Sequence, residues 1–153
     1  MPKQPCNEEE HPMKLPQLGG CLCGAVRYKV TQEPSRILTC HCMQCQRMTS
    51  SAFSIAAAVG SEGFEILQGE LRPVALTSDS GRARTNWVCA ECGSWITSGS
   101  DPKLAPTKPN RIVLGGTLDD ISWLRPTTHY WTRTKQPWVT LPASDTIHET
   151  QDY

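Results

Sequence analysis

The chain has 153 residues, 15 acidic against 15 basic side chains, which suits one modest domain and offers no electrostatic grip on nucleic acid or anionic lipid. No stretch approaches the roughly 18 apolar residues of a membrane span. The polar start, with Glu8, Glu9 and Glu10 and no apolar signal-peptide core, makes the eight cysteines read as reduced thiols of a cytoplasmic protein, not a secreted disulfide scaffold.

Residues 1–16 read as a flexible tail in which Cys6 is an isolated spare thiol, and 143–153 as a second tail, leaving 17–142 as the domain. Val26, Tyr28 and Val30 alternate with Arg27 and Lys29, the period of a half-buried strand. Residues 36–39 read as a short strand, and the continuous apolar run 52–59 suits a central one, although its alanines would also tolerate helix. Residues 64–67 and 73–77 read as a strand pair joined through Gly69 and Glu70. Further strands are expected at 84–88, 95–97, 111–114 and 129–133. The helical candidates are two short turns, 42–49 and 118–122. Pro102, Pro106 and Pro109 mark a loop. The fold class is therefore mainly β, built of small antiparallel sheets.

Seven of the eight cysteines fall into three clusters: Cys21 with Cys23, Cys40 with Cys42 and Cys45, and Cys89 with Cys92. Thiols so close in sequence suit a shared tetrahedral metal ion better than long-range bridges. Cys23 and Cys92 each precede a glycine, Gly24 and Gly93, and a metal knuckle needs a positive φ there that glycine adopts at little cost. Cys21, Cys23, Cys89 and Cys92 are therefore paired as one closed structural zinc site. Zinc closing so long a loop can contribute about 10–16 kcal/mol, judging from small zinc peptides.

The middle cluster lacks that glycine, because Gln46 and Arg47 follow Cys45. Three thiolates with no fourth cysteine nearby make a reactive zinc with one exchangeable position. Its net charge near −1 disfavours water activation and lets a bound thiolate stay nucleophilic. His41 or His129 as a fourth ligand would instead close the site, although an extended backbone points His41 away from Cys40 and Cys42. Asp119 and Asp120 read as turn-capping carboxylates, with a catalytic role as the alternative. Trp123 and Trp131 are candidate pocket residues, and Arg47, Arg82 and Arg84 are candidate carboxylate binders.

Residues 20–28, Cys40 to Cys45, Cys89 to Gly93 and 116–120 together resemble the glutathione-dependent formaldehyde-activating enzyme family, which includes the centromere protein V domain. The resemblance covers residues 17–142 and implies a β-tent fold around two zinc ions. It also implies a structural zinc on Cys21, Cys23, Cys89 and Cys92, and a catalytic zinc on Cys40, Cys42 and Cys45. The family activity is condensation of glutathione with formaldehyde, a carbon–sulfur lyase reaction in reverse. Family members commonly carry a basic residue directly after the triad and a glycine four residues later, where this chain has Gln46 and Ser50.

The expectation is thus a cytoplasmic zinc lyase with two zinc ions per chain. It would act on a small thiol such as glutathione and an aldehyde or its S-hydroxymethyl adduct, without nucleic acid or membrane partners. The alternative is a non-enzymatic binding module held by two structural zinc sites, and a third reading is a thiol redox sensor or metal store.

Overall fold

The computed structural model describes residues 12–78, 81–104 and 109–151; Cys6, His11 and Pro106 lie outside them. Eleven strands and one helix follow the chain as β1 Gln17–Gly20, β2 Arg27–Val30, β3 Arg36–Cys40, α1 Met43–Thr49, β4 Ser54–Gly60, β5 Phe64–Gln68, β6 Leu71–Thr77, β7 Ala83–Cys89, β8 Trp95–Ser98, β9 Asn110–Leu114, β10 Thr128–Tyr130 and β11 Thr146–Ile147. They form a three-stranded sheet, β1-β2-β5, and an eight-stranded one, β11-β10-β3-β4-β9-β8-β7-β6. Pairing is antiparallel except at β10, which runs parallel to both β3 and β11. The mainly β expectation holds.

β4 shows how the two sheets share one interior. It lies between β3 and β9, and both of its faces are covered. Ala57 and Val59 join a cluster with Val26, Tyr28, Val30, Phe64, Ile96 and Val113. Ala56 faces a second cluster that contains Cys40, Cys42, Cys45, Val88, Trp95 and Trp131. Burial on two sides is why its apolar residues run on without alternating. Cys21, Cys89 and the three thiols of Cys40, Cys42 and Cys45 are thus built into the core, whereas Cys23 and Cys92 are exposed.

Three expectations need correction. β5 and β6 do not pair: β5 adds to β2, with Val30 opposite Phe64 and Lys29 ion-paired to Glu65 at 2.8 Å, whereas β6 pairs with β7. At Gly69 (φ +84°) the backbone packs against Ala25 and Val26, where a side chain would collide, and the chain there passes from one sheet to the other. Residues 118–122 are not helical. Leu118 bridges Gly19, and Asp120 Oδ1 accepts the Ser122 amide at 2.9 Å, so hydrogen bonds from the turn replace helical ones. Beyond residue 142, β11 extends the large sheet, and the His148 amide donates to the His129 carbonyl at 2.8 Å. No helix of the described residues is long and apolar enough to cross a membrane.

Candidate metal centres

Cys21 follows β1, and Cys89 ends β7. Each begins a tight turn closed by a glycine amide: Gly24 N–H donates to Cys21 O at 3.1 Å and Gly93 N–H to Cys89 O at 3.0 Å. Both glycines adopt positive φ, +79° and +74°, the left-handed conformation that makes glycine the residue of choice. The Val26 amide points at Cys21 Sγ, 3.2 Å away. The four sulfurs of Cys21, Cys23, Cys89 and Cys92 lie within 4.8 Å of one another, with Cys21 to Cys23 at 3.4 Å and Cys23 to Cys89 at 3.9 Å. These are non-bonded separations. Tetrahedral zinc, with Zn–S near 2.3 Å, sets sulfurs about 3.8 Å apart, so this donor set fits the ion.

Ser94 ties the two turns together. Its hydroxyl accepts the Leu22 amide at 3.1 Å and lies 3.2 Å from Cys92 Sγ, while its carbonyl accepts the Cys89 amide. Bonds from the Ser94 hydroxyl and backbone pull the Cys92 thiol down to about 5. Cys23 is drawn down by the Ala25 amide, but Cys21 and Cys92 outweigh this and leave it at about 12. The thiols share their protons, and a bound cation would remove that competition.

The second group has Cys40 at the end of β3, Cys42 as the N-cap of α1 and Cys45 in its first turn. The Cys42 sulfur accepts the Cys45 amide at 3.3 Å. The three sulfurs lie within 4.8 Å of one another, and all three residues are buried. Bonds from Cys40 and Cys42 hold Cys45 down at about 2, helped by Arg84 and Ser54. The same bonds push Cys40 far up. Three crowded thiols that cannot all ionise alone are a donor set suited to a soft divalent ion.

Neither histidine completes the triad. His129 Nε2 donates to Asp145 Oδ2 at 3.0 Å, and its Nδ1 lies 2.6 Å from Thr39 Oγ1. The same Thr39 hydroxyl lies 3.0 Å from His41 Nε2 and so bridges the two rings. His41 is fully buried, and its Nδ1 has no partner. Burial, with the neighbouring His129 and Lys135, depresses it to about 4. His41 reaches the site through its backbone, with its amide on the Tyr130 carbonyl and its own carbonyl taking Gln46 Nε2 and Thr134 Oγ1. No fourth donor of the His, Cys, Asp or Glu type joins the triad among the described residues.

The two departures after the triad are both built in. Gln46 is buried, donates to the His41 and Thr134 carbonyls, and accepts Gln136 Nε2 at 2.8 Å. Ser50 caps the helix in the left-handed conformation, φ +50°. Trp123 and Trp131 are buried in the two core clusters. An open cavity of about 440 Å³ lies beside α1, lined by Met43, Gln46, Arg47, Gln136 and Trp138 among others. Asp119 binds Arg27 with both oxygens, one of them at 3.0 Å. Sequence reading passed over Ser94 and Asp145, whose roles depend on contacts distant in the chain.

The family described as glutathione-dependent formaldehyde-activating enzyme matches residues 17–134. Among solved structures, the crystal structure of a Rhodobacter sphaeroides protein is similar at 22% identity. The match covers 67% of this chain and 87% of that one, with a TM-score of 0.48. With two convergent thiol groups inside the matched span, the chain belongs to the glutathione-dependent formaldehyde-activating enzyme family.

Proposed function

We propose that this protein is a zinc-dependent carbon–sulfur lyase that joins a small thiol, glutathione or a relative, to an aldehyde, or splits the S-hydroxymethyl adduct. The observation that carries this reading is the triad: three buried, convergent thiols with no fourth protein donor among the described residues. Cys40, Cys42 and Cys45 would hold the reactive zinc, and Cys21, Cys23, Cys89 and Cys92 a structural one. A zinc ion on the triad supplies positive charge and an exchangeable position that keep a substrate sulfur in its thiolate form.

The chain's own part is to fix the sulfurs and keep water away. The Cys45 amide orients the Cys42 sulfur, and Gln46 with Thr134 fixes the His41 carbonyl between Cys40 and Cys42. Val88, Trp95 and Trp131 pack around the thiols and lower the local dielectric, which strengthens charge interactions. In the forward direction the substrate sulfur forms a bond to the carbonyl carbon and the C–O π bond breaks. The proton that leaves the thiol ends on the new hydroxyl oxygen.

The test is formation of the hydroxymethyl thioether from glutathione and formaldehyde, followed by proton NMR in exchange experiments. Acceleration by the zinc-loaded protein that is lost in Cys45→Ser supports the reading. Equal rates with and without protein, across a panel of thiols and aldehydes, would sink it.

A further inference from the structure

Arg84 stands on β7 in a setting built to hold it. Its Nε donates to Asn86 Oδ1 at 2.9 Å, and Asn86, 1% exposed, is itself fixed by Ser98 Oγ at 2.7 Å. The guanidinium lies over the Trp95 ring, 5.2 Å from its centroid. Trp95 is anchored in turn by its Nε1–H, which donates to the Thr97 carbonyl and to Ser98 Oγ. The guanidinium is thereby stacked on a ring that packs in the same buried cluster as Cys40, Cys42 and Cys45. Gln44, the residue before Cys45, donates to the Thr77 carbonyl on β6, beside Leu76, which is paired with Arg84. Arg84 lies near enough for its charge to act on Cys45.

Among the described residues no carboxylate pairs with Arg84, and its two terminal nitrogens have no hydrogen-bond partner. A guanidinium held by one edge and one face keeps its outer fork for bidentate binding of a carboxylate, with little entropy left to lose. The electrostatics agree. Three thiolates with a divalent ion carry a net charge near −1, so an anionic substrate needs a compensating cation beside the sulfurs.

We propose that Arg84 is the anion subsite of the triad centre and selects a thiol substrate that bears a carboxylate. The carboxylate is assigned to the thiol because formaldehyde, the aldehyde in the family's description, carries no charge. This rests on the lyase reading for its substrate, but its test does not.

Binding to the zinc-loaded protein is measured by calorimetry for 3-mercaptopropionate and 2-mercaptoethanol, a pair differing chiefly in the carboxylate. The wild type is expected to bind the acid about 10- to 100-fold more tightly, the range of a charge-assisted hydrogen-bonded pair. Arg84→Gln should lose that preference and keep its affinity for 2-mercaptoethanol, and Arg84→Lys should recover part of it. Zinc content and melting temperature report whether each variant is folded. No preference in the wild type, or equal loss for both thiols in Arg84→Gln, overturns the proposal. If Arg84→Gln does not fold, the wild-type comparison and Arg84→Lys still decide. A binding preference without turnover of any thiol–aldehyde pair would sink the lyase reading and leave the subsite standing. Turnover without preference would do the reverse.

Discussion

His129 Nε2 lies 3.0 Å from Asp145 Oδ2, and both side chains are 5% exposed. The pair ties the segment before β11 to β10, and through Thr39 it reaches the strand that ends in Cys40. The His129 N–H holds the Asp145 carboxyl below its usual range. A carboxyl lowered in the folded state stabilises fully above its unfolded value of about 3.9, and that stability is lost as the pH falls through the lower folded value. Asp145→Asn should therefore melt lower at neutral pH and lose less stability than the wild type below about pH 4. Circular-dichroism melts across that range check both. An unchanged neutral melting point would mean that the pair contributes nothing.

His41 offers a second pH test. Its pKa of about 4 lies below the unfolded value of about 6.5. Between those values the unfolded chain binds a proton that the folded one does not, so stability is complete above about 6.5 and declines as the pH falls towards 4. The difference corresponds to something on the order of 3 kcal/mol. Histidine NMR of the folded protein should show no His41 inflection between about pH 5.5 and 7.5. An inflection near the free-histidine value would contradict the buried, neutral assignment.

Ser50→Gly should stabilise the protein by about 0.5–1 kcal/mol. The left-handed φ of +50° strains any residue with a Cβ, and removing it outweighs the extra freedom that glycine gives the unfolded chain. Gln46→Arg should do the opposite. Arginine has no acceptor for Gln136 Nε2, whose bond to Gln46 Oε1 is 2.8 Å, and it brings charge into a buried position. A loss of about 1–3 kcal/mol is expected. Denaturant titrations of the two single variants give both signs.

Gly19→Ala should unfold or severely destabilise the small sheet. A Cβ at Gly19 would run into the Tyr28 ring and come within 2.6 Å of the Thr117 carbonyl. Tyr28 is fully buried, and its hydroxyl lies 2.8 Å from Thr117 Oγ1, so neither neighbour can move cheaply. A melting point within a degree or two of wild type would show that the strand adjusts.

The sequence made the metal-site thiols legible because ligand spacing is local. Cys21 with Cys23 and Cys89 with Cys92 each sit on one turn, and the turn demands the glycine that follows. The central strand β4 was legible from its unbroken apolar run. The β5–β6 hairpin misled because Gly69 and Glu70 give a local turn signal, whereas the partner of β5 is chosen by Tyr28 and Val30, far back in the chain. β11 and the His129–Asp145 pair were illegible for a related reason: Thr128 and His129 are polar yet buried, so alternation of apolar residues does not mark them. Arg84 could be named as a carboxylate binder, but its stack on Trp95 depends on pairing between β7 and β8.

Zinc per chain, measured by native mass spectrometry on the wild type and on Cys45→Ser, tests the two-centre account most directly. The account predicts two zinc ions in the wild type and one in Cys45→Ser, with the Cys21, Cys23, Cys89 and Cys92 site still filled. A wild type with a single zinc, or a Cys45→Ser variant that keeps two, would contradict it.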